Sequence, residues 1–150
     1  MRYAVLMLLA LGCAKYGPVL SPVTFETGSS ALSEKDEARV ADAAEVLRDS
    51  EWNVLVIGLA DVAGDAAMNK DLAERRANEV AELLKKKCPN VPAKRIVTHT
   101  IGEKLSTGTT VQERKVEFVF YKDSDLTPKE IVEASGVMEE DFHRAEKKKK

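Results

Sequence analysis

The stretch Asn53 to Leu59, NVLVIGL, constrains this chain more than any other, because a near-continuous apolar run with β-branched residues suits the central strand of a sheet. Three further segments are candidate strands: Val23 to Phe25 upstream, Arg95 to Thr100 downstream, and Val116 to Tyr121, which reads VEFVFY. Two helices are predicted between them. Ser33 followed by Glu34 and Asp36 marks a start, with acidic side chains near the positive end of the helix dipole, and Val40, Ala44 and Leu47 then recur at helical spacing down to Ser50. A loop from Ala60 to about Ala67 leads into the second helix, Met68 to Lys87, which Pro89 and Pro92 prevent from continuing. The predicted order is β-α-β-α-β-β, an α+β fold. A mixed sheet with both helices packed on one face is the economical way to bury these apolar stripes.

A chain of 150 residues has room for one compact domain with its own core. Its formal net charge of -2, from 23 basic and 25 acidic residues, provides no global positive field to hold nucleic acid or an anionic membrane. One Trp, two His and two Cys argue against zinc-finger frameworks, disulfide-dense scaffolds and most His-based metal sites. His99, on a predicted strand, and His143 have no visible nucleophile or metal partner and read as surface or packing residues. Neither a cofactor nor a metal is expected.

Helical geometry separates two adjacent arginines. With Ala73 at zero and about 100° per residue, Ala77, Val80 and Leu84 fall within about 40° of it, and Leu72 and Leu83 within about 100° on one side. Arg76 and Asn69 lie inside that buried arc, at about -60° and -40°, whereas Arg75 lands on the far side at about 200°. A guanidinium at the edge of an apolar stripe must be paired or must face a cleft, since a buried charge without a partner is too costly. Asp61, in the loop feeding this helix, is the nearest acidic candidate in sequence. The residues alone leave two uses open for the pair: a binding site, or an internal bond in which Arg76 is structural and Asp61 serves its own turn.

The ends divide from the middle by composition. Residues 1–12 read MRYAVLMLLALG, one Arg and then about ten apolar residues, too short to span a bilayer, which needs roughly 20. With Gly12 before Cys13, the stretch resembles a bacterial lipoprotein signal, in which the Cys becomes the lipidated first residue of the mature chain. A buried N-terminal strand is the alternative. Residues 13–22, broken by Pro18 and Pro22, read as anchor and linker, 23–121 as the domain and 122–150 as a tail. In the tail, Thr127-Pro128 starts a helix with Ile131, Ala134, Val137, Met138 and Phe142 at apolar spacing and Gly136 as a break, able to pack on the domain or meet a partner. The final Lys147 to Lys150 read as a solvated end. Cys88 reads as a small buried hydrophobe, with a Cys13–Cys88 bond as the competing use in an oxidising compartment.

The run GLADVAGDAAMNKDLAERRANEVAELL, Gly58 to Leu84, resembles the signature of OmpA-like peptidoglycan-binding domains and is most similar to the peptidoglycan-associated lipoproteins. VTFETGSSAL (Val23 to Leu32), Gly102-Glu103 and ERKVEFVF (Glu113 to Phe120) fall where that family has its first strand and loop, its Gly-Glu turn and its last strand. The resemblance implies a non-catalytic domain that binds the diaminopimelate residue of the peptidoglycan stem peptide. The family's motif Asp corresponds to Asp61, its motif Arg to Arg76, and the Asn opening the second helix to Asn69. Of the paired arginines before the last strand only Arg114 is carried over, followed by Lys115. Leu59 and Ala60 stand where many members have an aromatic or His and then Thr or Ala. Asp61 would accept from the ligand ammonium and Arg76 would take its carboxylate with two parallel hydrogen bonds. A lipid on Cys13 would hold the protein in the outer membrane facing the periplasm, with envelope proteins as further partners.

Three other functions are weighed beside this one. The domain could be an interaction module whose wall site is weakened or lost and whose tail does the work. It could be the wall-binding half of a motor stator, which needs a full transmembrane helix before the domain. A periplasmic hydrolase pairing Asp61 with Glu103 is the enzyme alternative. On the binding reading, Arg76→Ala is expected to leave the fold largely intact.

Overall fold

The computed structural model describes residues 15–59, 65–101 and 114–135. Along them run β1 (Val23–Thr24), α1 (Glu34–Arg48), β2 (Asn53–Leu59), α2 (Ala66–Lys87), a 3-10 turn (Ala93–Arg95), β3 (Ile96–Ile101), β4 (Lys115–Tyr121) and α3 (Pro128–Ser135). The strands lie in the order β1-β4-β2-β3. β2 is interior, parallel to β3 from Val54 opposite Ile96 to Leu59 opposite Ile101, and antiparallel to β4 from Asn53 opposite Tyr121 to Gly58 opposite Val116. Every β2 residue after Asn53 is buried, which is why its sequence shows no polar alternation. The fold is the expected α+β arrangement with a mixed sheet.

Each sheet face has its own cover. On one face α1 and α2 enclose Val54, Val56, Val116, Phe118 and Phe120 with Val40, Leu47, Val80 and Leu84. On the other, Leu55, Ile57, Leu59, Ile101, Val119 and Tyr121 pack with Ile131 and Val132 of α3. The two helices of the β-α-β-α-β-β unit therefore share a face, and the tail helix covers the opposite one. α3 is described through Ser135, and Gly136, read as a break, lies outside the described residues together with Val137, Met138 and Phe142.

Local chemistry explains the helix and strand limits. Ser33 caps α1 by accepting from the Asp36 backbone N–H at 3.2 Å, and the buried Asp36 carboxylate accepts from Ser33 Oγ at 2.6 Å and from the Thr24 N–H at 3.1 Å. One carboxylate thus fastens the start of α1 to β1, whose two residues pair with β4. α2 begins two residues before the predicted Met68 because the Asp65 side chain accepts from the Met68 N–H at 3.0 Å. β3 begins at Ile96, not Arg95, because Arg95 closes the 3-10 turn and its guanidinium donates to the carbonyls of Leu47, Ser50 and Trp52.

The segment read as a linker is attached for most of its length. Tyr16 bridges Tyr121, the Gly17 N–H donates to the Phe120 carbonyl at 2.9 Å, and Arg39 donates to the Pro22 carbonyl at 2.5 Å. Residues 16–24 therefore follow the free edge of β4 from one end to the other.

Gly58 sets how closely α2 approaches the sheet. A Cβ there would sit 2.2 Å from the Ala73 carbonyl oxygen and 3.2 Å from Ala77 Cβ. Both obstructing groups belong to the packed stripe of α2, so neither can swing aside. Gly58→Ala is expected to destabilise the domain by about 1–3 kcal/mol, and Gly58→Val by more, through overpacking. Urea unfolding should show a lower midpoint with an unchanged m-value.

Candidate functional site

The C-terminal end of β2 and the N-terminal end of α2 meet at one edge of the domain, together with the β1–α1 loop and the start of β4. Arg76 occupies this edge. It is only 2% exposed, the largest fully buried side chain among the described residues. Its Nε donates to the Ser29 carbonyl at 2.8 Å and its Nη2 to the Glu26 carbonyl at 3.0 Å, and its guanidinium carbon lies 5.2 Å from the centre of the Phe25 ring. Carbonyl dipoles and a ring face solvate the cation in place of water.

The loop that receives Arg76 is shaped for it. Ser29 N–H donates to the Glu26 carbonyl at 3.1 Å, closing a β-turn in which Gly28 takes a left-handed conformation with φ of 71°. The Glu26 carbonyl thus accepts from both the turn and Arg76. Arg114, the residue before β4, braces the same loop: its carbonyl accepts from the Phe25 N–H at 2.8 Å and its Nη1 donates to Thr27 Oγ1. Arg114 Nε is buried without a hydrogen-bond partner among the described residues. Asn69 is half-buried two turns before Arg76 on α2.

The structure therefore brings Arg76 and Arg114 to one loop, with Asn69 on the helix that carries Arg76. Asp61 falls in the segment joining Leu59 to Asp65 and lies outside the described residues, as do Glu103, Cys13 and His143. Arg75 points away, more than half exposed, with its Nε 3.1 Å from Asp71 Oδ2. That is the separation of adjacent arginines that the helical angles predict. Phe25, Thr27 and the Gly28 turn were missed as site residues, although FETG lies within the segment VTFETGSSAL; the signal was the Thr-Gly pair, a turn former after a strand. The groove lined by Ser30, Leu32, Glu37, Glu79, Leu83 and Lys86 lies beyond the loop and includes neither arginine.

Two other reactive side chains are removed from this edge. Cys88, the residue after α2, is a buried free thiol donating to the Leu84 carbonyl, and burial pushes its pKa up against the pull of Arg48 and Arg95. Cys13, the other end of the competing Cys13–Cys88 bond, lies outside the described residues. His99 is half-buried on β3, where burial pushes its pKa down.

Comparison with known proteins bears on what this edge is for. The model of the OmpA family matches residues 24–118. Among solved structures, the peptidoglycan-associated lipoprotein from Burkholderia pseudomallei is similar at a TM-score of 0.59 and 21% identity, over 66% of this chain and 88% of that one. The C-terminal domain of Helicobacter pylori MotB is similar at 0.57 and 18%, over 82% and 98%. The cell wall anchor of the T6SS from Pseudomonas aeruginosa is similar at 0.53 and 24%, over 67% and 76%. At these identities the likeness is one of fold. A search of the curated proteins finds no match.

The bonds of Arg76 change one expectation about its removal. Truncation would strip the Glu26 and Ser29 carbonyls of a donor and open a void beside Phe25, so Arg76→Ala is expected to destabilise the fold by about 2–4 kcal/mol. Arg75→Ala, on the solvent side, should shift stability by no more than about 0.5 kcal/mol. Parallel urea melts of the two variants check this; equal destabilisation would refute the assignment of Arg76 to the loop.

Proposed function

Because the chain belongs to the OmpA family, we propose that it binds the bacterial cell wall non-covalently, through the diaminopimelate residue of the peptidoglycan stem peptide, and tethers the outer membrane to it by a lipid on Cys13. The observation that carries the reading is the buried Arg76, held at the open end of the sheet by a loop that Arg114 also braces. The free end of diaminopimelate carries an ammonium and a carboxylate on one carbon. In the proposed complex the Arg76 guanidinium takes the carboxylate, the geometry for which its planar fork is suited. Asp61 accepts from the ammonium, Asn69 fixes the loop or the ligand, and Arg114 adds positive charge beside the carboxylate. No bond is made or broken in this reading, so the protein acts as a binding module and not an enzyme.

One observation favours a second reading. Two donors of Arg76 already hold backbone carbonyls, and an arginine of that kind can serve structure alone. On that reading the domain is an interaction module whose wall site is weakened or lost.

A pull-down with purified, insoluble cell wall separates the two. Since Arg76→Ala is expected to weaken the fold, Asp61→Ala is the primary variant, with thermal melts as the control for folding. Loss of one partner of a desolvated charge pair costs about 2–5 kcal/mol, so Asp61→Ala should weaken binding roughly 30- to several-thousand-fold. Arg75→Ala should change it less than about fivefold, and the wild-type affinity should respond only weakly to salt. A folded Asp61→Ala protein that still binds wall like wild type would leave the second reading in its place.

A further inference from the structure

The first described residues meet the domain at the end opposite the Arg76 site. Tyr16 pairs with Tyr121 at the C-terminal end of β4, and Asn53, at the start of β2, lies opposite Tyr121. The site edge lies at the other end of β2, roughly 20 Å away for a seven-residue strand. The far end has a distinct surface chemistry. Trp52 is half-buried against Gly17, whose Cβ would lie 3.1 Å from the indole ring, and Lys122 Nζ sits 4.5 Å from the Trp52 ring centre. Tyr16 is half-buried beside the exposed Lys15, and the Asn53 side-chain amide donates to the Lys122 carbonyl.

The geometry points to this end as a membrane-seated face, resting on lipid headgroups when Cys13 is acylated; the inference rests on the lipid-anchor reading above. The length of chain requires it. Only three residue steps separate Cys13 from Tyr16, at most about 11 Å fully extended. The headgroup layer of one leaflet is roughly 5–7 Å deep. A lipid buried in the hydrocarbon therefore leaves the docked Tyr16 no more than about 4–6 Å above the membrane surface. The residues it brings down suit that depth: Trp and Tyr rings place an apolar body and a polar tip at the interface, and Lys15 and Lys122 carry their charge on long apolar stems. Glu51 and Asp123 are also exposed at this end, so the hold comes from the acyl chains and not from net charge. The opposite edge, with Arg76, then faces away from the membrane toward the wall.

Trp52 is the single tryptophan of the chain and reports on its own depth. Full-length lipidated protein is reconstituted into phosphatidylethanolamine–phosphatidylglycerol vesicles with or without brominated phosphatidylcholine, and flotation is measured alongside emission. The expected result is co-flotation with loss of Trp52 emission in the brominated vesicles. Insertion of ten Gly/Ser residues between Ala14 and Lys15, which adds about 17 Å of average reach, should restore the emission without changing flotation. Flotation with unquenched Trp52 in the native-length protein would overturn the seated face while leaving the anchor intact. Quenching that persists after the insertion would overturn the part assigned to the short tether. Failure to float, with Cys13→Ser behaving identically, would overturn the anchor itself and the seated face with it.

Discussion

The contact between Gly58 and the carbonyl of Ala73 governs the geometry on which the site depends. It is a place where a strand and a helix meet with no side chain between them, and the helical residues that make it, Ala73 and Ala77, bracket Arg76. The depth of α2 over the sheet therefore fixes the height at which the guanidinium reaches the β1–α1 loop. Hydrogen bonds of 2.8 and 3.0 Å tolerate only a few tenths of an ångström before they weaken. Any residue larger than glycine at position 58 would have to lift the helix by more than that. A small residue in the buried strand thus controls a charged residue in the helix above it.

Arg76 in turn makes the loop and is made tolerable by it. Burying a guanidinium among apolar side chains would be prohibitive if its donors met nothing. The turn at Glu26–Ser29 offers two carbonyls at the spacing of one side of the fork, with the Phe25 ring nearby. Carbonyl dipoles carry no net charge, so these two bonds leave the charge of the guanidinium in place, and Arg114 braces the same loop. The two carbonyl bonds are therefore compatible with a ligand-binding use of Arg76 as well as a structural one.

Periodicity made most of this fold legible in the sequence, and range set the limit. The buried run NVLVIGL, the 3.6-residue stripe of α2 and the Ser33 cap are local signals, and each element they predict is present within a few residues. The same stripe separated Arg76 from Arg75, because the angle around a helix depends on nothing outside it. What the sequence concealed was set by contacts distant along the chain. The docking of Tyr16 and Gly17 on β4 joins residues more than a hundred positions apart, and the Arg76 bonds to Glu26 and Ser29 span about fifty. Neither has a periodic signature. The tail helix was visible as a helix, but its place on the second sheet face depends on Leu55, Ile57 and Val119, whose own pattern says only that they are buried.

The attachment of residues 16–24 gives the domain a direction as well as a boundary. A chain end that left at the site edge would compete with the β1–α1 loop for the same space. Instead the segment runs the length of β4 and is fixed near each end: at Tyr16 and Gly17 by β4, and at Pro22 and Thr24 by Arg39 and Asp36 of α1. Tension applied at Tyr16 while the far edge is held would first load the two contacts on Tyr121 and Phe120. Behind them, the Asp36 carboxylate and the Arg39 guanidinium transfer the load to α1, which is packed against α2 and so to the helix that carries Arg76. The polar cluster at the start of α1 does more than cap a helix: it connects the end where the chain enters to the end where the buried arginine sits.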